Sequence, residues 1–273
     1  MAAVELTPSG RPCAVVLGAS NVSRGLARLA GHVAARTEGA DLFVAAGHGR
    51  SYGANSRVWM RRLPSILWCG LWRALDREGV VPGERGPAPA RPVLALVTDV
   101  GNDLLYGFAV EQVAAWVRES VRRLADRGAL TVVTRLPLAT IARVGPVRYR
   151  ALRTLFVPGC TRSLEEIKDA AAELDDRLVG IAAEVGATVI DQPQDWYGID
   201  ALHIRRRHLD TLWTGVCDAW GLSSGRLSPR SPSVARWCAV GTKGAEVRSL
   251  AGVMRFTPQP VLPGGNGPRL WLY

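Results

Sequence analysis

The stretch CAVVLGASN, residues 13–21, sets the frame for the rest of the chain. Its first six residues are a continuous apolar run closed by Gly18, the pattern of a strand buried on both faces of a parallel sheet. Residues 23–37 follow with Leu26, Leu29, Ala30 and Val33 at helical spacing. Similar short runs recur at 41–46 (DLFVAA), 92–98 (PVLALVT), 129–135 (ALTVVTR) and 187–190 (ATVI), which makes five strands. Between them, residues 110–127 carry Val110, Val113, Val117, Val121 and Leu124 on one helical face. Ser163-Leu-Glu-Glu166 is a capping box, opening a helix that runs to about residue 185. Residues 204–220 form the last long helix. Such alternation implies a parallel sheet with helices on both faces. Right-handed crossovers then bring every strand-to-helix loop to one edge, where ligands bind.

Two stretches interrupt the alternation. Residues 56–78, with Trp59, Trp68 and Trp72 at helical spacing, read as a helical insertion that packs by its tryptophans. Residues 79–91 (GVVPGERGPAPAR) are a Pro/Gly linker. Beyond Leu222 the composition turns to Ser, Pro and Gly; residues 234–240 and 245–256 are expected to pair across a turn at 241–244. The chain thus divides into a domain at 1–225 and a basic extension at 226–273.

Composition excludes several classes. With 48% hydrophobic and 21% charged residues in 273, the chain has the balance of a folded globular protein. No apolar run reaches the roughly 18 residues that a membrane-spanning helix needs. The first residues lack the basic segment of a signal peptide. Five scattered cysteines with no CxxC pair argue against a disulfide framework or a zinc site, so a cytoplasmic location is expected. The net charge is +10, and all but Lys168 and Lys243 of the 34 cationic residues are arginine. The charge is uneven. Arg226, Arg230, Arg236, Lys243, Arg248, Arg255 and Arg269 face only Glu246 in the extension, so the body of the chain is only mildly basic.

The informative loops follow strands one, two, three and five. Ser20 lies on the turn from the first strand into a helix, where a developing negative charge is favoured by the helix N-terminus. Gly47-His-Gly-Arg-Ser-Tyr-Gly53 can bring backbone N–H groups close to a ligand. Val100-Gly-Asn-Asp-Leu104 follows the third strand, and Asp200-Ala-Leu-His203 precedes the last helix. Each alone reads as a turn, a helix cap or a surface histidine. Their common edge is what points to chemistry: a serine needs an imidazole to take its proton, and a carboxylate three residues before a histidine can fix its tautomer.

In this order the blocks resemble the SGNH (GDSL-like) hydrolase superfamily, over roughly residues 13–220. The resemblance implies a three-layer α/β/α sandwich with a five-stranded parallel sheet, flavodoxin-like in order. It also implies serine-dependent hydrolysis of esters or related acyl bonds, without metal or organic cofactor. It makes Ser20 the nucleophile, His203 the general base and Asp200 its orienting carboxylate. Gly49 and the Asn102 side chain join the Ser20 amide in an oxyanion hole, with Gly47 the alternative to Gly49. The chain departs from the family pattern at Ala19, where Asp usually precedes the serine, and at Ile204, where Pro usually follows the histidine.

Arg50 is a candidate for holding an anionic substrate, with Arg57 beside it, and Trp196 and Tyr197 are candidate walls of an acyl or sugar pocket. GHGRSYG does not have dinucleotide-binding spacing, and none of the four histidines sits in an HxH or HExxH pattern. His208 reads as a helix-lining residue. The partner expected is a small-molecule or glycan ester. The competing reading is a catalytically weak binding module of the same fold, taking anionic glycan or nucleic acid on its basic surface with steep salt dependence. Such a module would not need Ser20, Asn102 and His203 together.

Overall fold

A computed structural model describes residues 11–58, 60–83, 91–157, 159–198, 200–222, 243–264 and 268–273. In chain order the elements are β1 (Cys13–Leu17), α1 (Ser20–Arg36), β2 (Asp41–Ala45), β3 (Ser56–Val58), β4 (Arg61–Leu63), α2 (Leu71–Arg77) and β5 (Val93–Val97). Then come α3 (Asn102–Leu105), α4 (Val110–Ala125), β6 (Leu130–Thr134), α5 (Leu138–Ala142), α6 (Pro146–Phe156), α7 (Leu164–Glu184) and β7 (Thr188–Ile190). The last are α8 (Leu209–Ala219), β8 (Val247–Leu250), β9 (Val253–Phe256) and β10 (Arg269–Leu272).

The main sheet runs β10-β2-β1-β5-β6-β7 with every pairing parallel. The five expected strands are present, in a three-layer α/β/α sandwich. Alternation along β1 explains the layers, because successive side chains point to opposite faces. Cys13, Val15 and Leu17 face α2, α4 and α7, while Ala14 and Val16 face α1 and α8. The second layer closes tightly at Gly25 of α1, where a Cβ would stand 2.6 Å from the Trp213 ring of α8. The capping box of α7 forms as expected: Glu166 N–H donates to Ser163 Oγ at 3.2 Å, and Ser163 N–H to Glu166 Oε2 at 2.7 Å. Among the described residues no helix is long and apolar enough to cross a membrane.

Three features differ from the sequence expectation. Arg269–Leu272, placed by composition in the extension, adds a sixth strand beside β2. Trp271 stacks on Phe43 with centroids 4.4 Å apart, and Arg269 bonds the buried Asp41 at 2.7 Å and 2.5 Å. The insertion is helical only at α2. β3 and β4 pair antiparallel instead, and β4 finds a further partner in β8, giving a second, antiparallel sheet β3-β4-β8-β9. Finally, residues 245–256 are not one strand but β8 and β9, turned at Ala251 and Gly252, both with positive φ (50° and 83°). That is the backbone a two-residue hairpin turn demands. Residues 234–240 lie outside the described residues.

Candidate active site

The site is assembled at the C-terminal edge of the parallel strands. β1 ends at Leu17, and the chain enters α1 at Ser20 through Gly18 and Ala19. Ala19 has no side chain to cap the helix, and the acceptor comes from β5 instead. Asp99 Oδ2 accepts the N–H groups of Ala19 and Asn21, each at 2.9 Å, and that of Val22 at 3.3 Å. The carboxylate thus neutralises the helix N-terminus on both sides of Ser20. To reach it, Asp99 adopts φ +55°, a left-handed conformation that Asp tolerates better than most residues.

The loop after β2 is a turn in which Arg50 N–H donates to Gly47 carbonyl at 3.0 Å. Gly49 occupies it with φ +63°, and a Cβ there would stand 2.5 Å from both Tyr106 Oη and Val58 Cγ2. α3 fastens this loop at three points. Asn102 Nδ2 donates to Arg50 carbonyl at 3.5 Å, Asp103 Oδ2 accepts Tyr52 N–H at 3.0 Å, and Tyr106 Oη donates to Gly49 carbonyl at 2.5 Å. Burial pushes the Asp103 carboxyl above its ordinary range, against the lowering effect of Ser51 and of the Tyr52 N–H.

His203 lies in a loop before α8. Its Nδ1 is 2.6 Å from Asp200 Oδ2, and its backbone N–H donates to Asp200 Oδ1 at 3.0 Å. A carboxylate can only accept, so Nδ1 carries a proton and Nε2 is the nitrogen turned away from Asp200. Burial acts to raise the Asp200 carboxyl, but the His203 side chain and backbone N–H outweigh it and hold Asp200 below the usual carboxylate range.

Asn21 joins this loop to the serine turn. Its Nδ2 donates to Leu202 carbonyl at 3.2 Å and to Asp99 Oδ1 at 2.8 Å, and its Oδ1 accepts Ile204 N–H at 2.9 Å. The residue after Ser20 therefore grips both neighbours of His203. It also accounts for the late start of α8. Ile204 is held by Asn21 and bridges Tyr197, so the helix begins at Leu209 after a short 3-10 turn at Arg206–His208.

Ser20 and Asn102 share a cavity of about 130 Å³ that runs under α6 towards α7. Tyr197 lines it too, with its hydroxyl on Gln192 Oε1 at 2.5 Å. The other candidates sit elsewhere. Trp196 stacks on His208 (centroids 6.4 Å apart) and is not part of the cavity wall. Arg50, expected to face a substrate, is fully buried and is a structural residue instead. Its guanidinium donates to the carbonyls of Pro64 (3.2 Å), Ala46 (3.3 Å) and Tyr273. Sequence reading missed Asp99 and Asn21. The absent acid at Ala19 was the signal for the first, and adjacency to Ser20 the only one for the second.

No family model matches the chain, and no curated protein is matched. Solved structures resemble it at low identity. One is the psychrotrophic esterase EstA from Pseudoalteromonas sp., inhibited by monoethylphosphonate (16% identity, 76% of this chain and 94% of that one, TM-score 0.41). Another is the acetyl xylan esterase AlAXEase (10% identity, 76% and 98% covered, TM-score 0.45). A third is BT4096, a gut microbial diltiazem-metabolizing enzyme, of which the chain spans about half (12% identity, 78% and 49% covered, TM-score 0.41). Likeness at this level carries no functional argument; the site has to.

Proposed function

We propose that the protein hydrolyses carboxylic esters through an acyl-Ser20 intermediate. The observation that carries this is the pairing of His203 Nδ1 with Asp200 at 2.6 Å, in a loop that Asn21 fastens to the turn bearing Ser20. Ser20 Oγ attacks the ester carbonyl carbon while His203 Nε2 takes its proton. Asp200 stabilises the imidazolium by remaining ionised. The carbonyl oxygen becomes an oxyanion facing the Ser20 N–H, the Gly49 N–H and Asn102 Nδ2. Losing one such donor typically costs about 10²–10³ in rate. Collapse breaks the bond to the alcohol oxygen, which takes the proton from His203. Water then repeats the sequence on the acyl-serine, releasing the acid and restoring Ser20. Asp99 suits this chemistry because it engages the amides of Ala19, Asn21 and Val22 and passes over that of Ser20.

The test is labelling with a fluorophosphonate beside hydrolysis of short aryl esters. Labelling located at Ser20, and loss of both signals in Ser20→Ala and His203→Ala, is expected. An unlabelled, inactive but folded wild-type protein would overturn the reading.

A further inference from the structure

We infer that the cavity beside Ser20 is an acyl-chain pocket, and that the substrates are esters of medium-chain apolar acids rather than acetate. This rests on the ester-hydrolase reading for its chemistry, and on the cavity walls for its specificity. Ser20 and Asn102 stand at one end of the cavity. Beyond them Leu104 of α3, Leu136, Ile141 of α5, Leu152 of α6, and Ile167 and Ala171 of α7 enclose the space. The space open inside it is about 130 Å³, below the roughly 300–1,000 Å³ of drug-sized ligand pockets and suited to one slender apolar chain. An acetyl group, with its single methyl, would leave part of it unfilled.

The polar groups of three wall residues are engaged within the protein, and Arg153 lies over the Tyr149 ring, 5.9 Å from its centroid. Tyr149 Oη donates to Arg162 carbonyl at 2.7 Å, and Tyr197 Oη to Gln192 Oε1 at 2.5 Å. Gln192 in turn donates through Nε2 to Arg135 carbonyl at 2.5 Å. A sugar placed there would lose its water without gaining partners, which is costly for every hydroxyl. An alkyl or aryl group loses nothing and gains about fourfold in affinity per buried methylene.

Which half of the ester enters follows from the imidazole. The departing alcohol takes its proton from His203, so it must lie on the imidazole side. Ser20 and Asn102 belong to the cavity wall together with Ala201 and Leu202, whereas the flanking Asp200 and His203 do not. The alcohol therefore leaves away from the cavity, and the acyl group points into it. A glycan alcohol would lie outside the pocket.

The experiment is a series of p-nitrophenyl esters from acetyl to dodecanoyl, with wild type, Leu152→Trp and Ala171→Phe. Wild-type kcat/KM should rise at least tenfold from acetyl to octanoyl, and each filled-pocket variant should lower the octanoyl-to-acetyl ratio at least tenfold. Leu152 is only half-buried on α6, so its variant keeps the test alive if Ala171→Phe does not fold. A flat or falling wild-type series overturns the proposal even if both variants are lost. A second arm is independent of turnover: octanoate should displace a fluorescent fatty acid from Ser20→Ala protein, and Leu152→Trp should weaken this at least tenfold. Absence of any labelling or hydrolysis would refute the ester-hydrolase reading alone; the fatty-acid arm would then decide the pocket, and no saturable binding would refute it.

Discussion

Asp99 Oδ2 accepts the Asn21 N–H at 2.9 Å while its Oδ1 accepts the Asn21 side-chain amide at 2.8 Å. One carboxylate thus fixes both the backbone at the start of α1 and the side chain that reaches the His203 loop. Asp99→Ala removes the acceptor of three backbone amides and of the Asn21 side chain. Hydrogen bonds to a charged group contribute about 1.5–3 kcal/mol each when measured singly. The expected result is a drop of about 10–100-fold in kcat/KM and a slower fluorophosphonate labelling rate. Asp99→Asn, which keeps one acceptor oxygen, should fall between.

Asn21→Asp keeps an acceptor for Ile204 but sets a second carboxylate against Asp99 and removes the donor to Leu202. Two adjacent carboxylates resist being ionised together. The variant should melt well below wild type at pH 8, and the gap should narrow as the pH falls towards 5. A gap independent of pH would mean that packing, not charge, carries the effect.

Asp41 gives a pH dependence of stability whose sign is fixed by its partners. Burial alone would raise its carboxyl, but the bonds from Arg269 and Arg91, the latter at 2.6 Å, hold it below the ordinary value. A group depressed in the folded state stabilises above its unfolded value, near about 3.9, and loses that contribution as the pH drops through the folded one. Acid unfolding should therefore show a component below pH 4 that Asp41→Asn abolishes. At pH 7 that substitution leaves arginines facing a neutral amide and should cost about 3–5 kcal/mol in denaturant melts.

Arg50→Ala separates a structural from a substrate-binding arginine. It unties the carbonyls of Ala46, Pro64 and Tyr273 from one another. The melting temperature should fall, while the ratio of KM for an anionic ester to that for its neutral analogue stays within about twofold. A selective rise in KM for the anion would return Arg50 to the binding site.

The strands were legible where burial on both faces makes the sequence uniformly apolar, as in Val93–Val97 and Cys13–Leu17. β10 was not, because RLWL is four residues in a Pro/Gly-rich setting and becomes a strand only when β2 offers an edge. The β3–β4 pair was hidden in the same way, since its arginines suit a helix equally well until β8 pairs with it. The loops that hold Ser20, Asn102, Asp200 and His203 could be placed because each follows a recognisable strand or precedes a helix; the roles given to these residues are proposals. Asp99 and Asn21 act on residues far away along the chain, and no local pattern marks such a reach. Arg50 was misread because a glycine-rich loop suggests exposure, whereas this one is folded over its own guanidinium.

The bonds that Asp99 makes also bear on how such proteins are traced through evolution. Here the carboxylate that meets the serine turn arrives from the loop after β5 and not from the residue before the serine. A linear signature demanding Asp before Ser passes over this chain. A three-dimensional template with a carboxylate oxygen about 3 Å from the amides flanking the serine would find it.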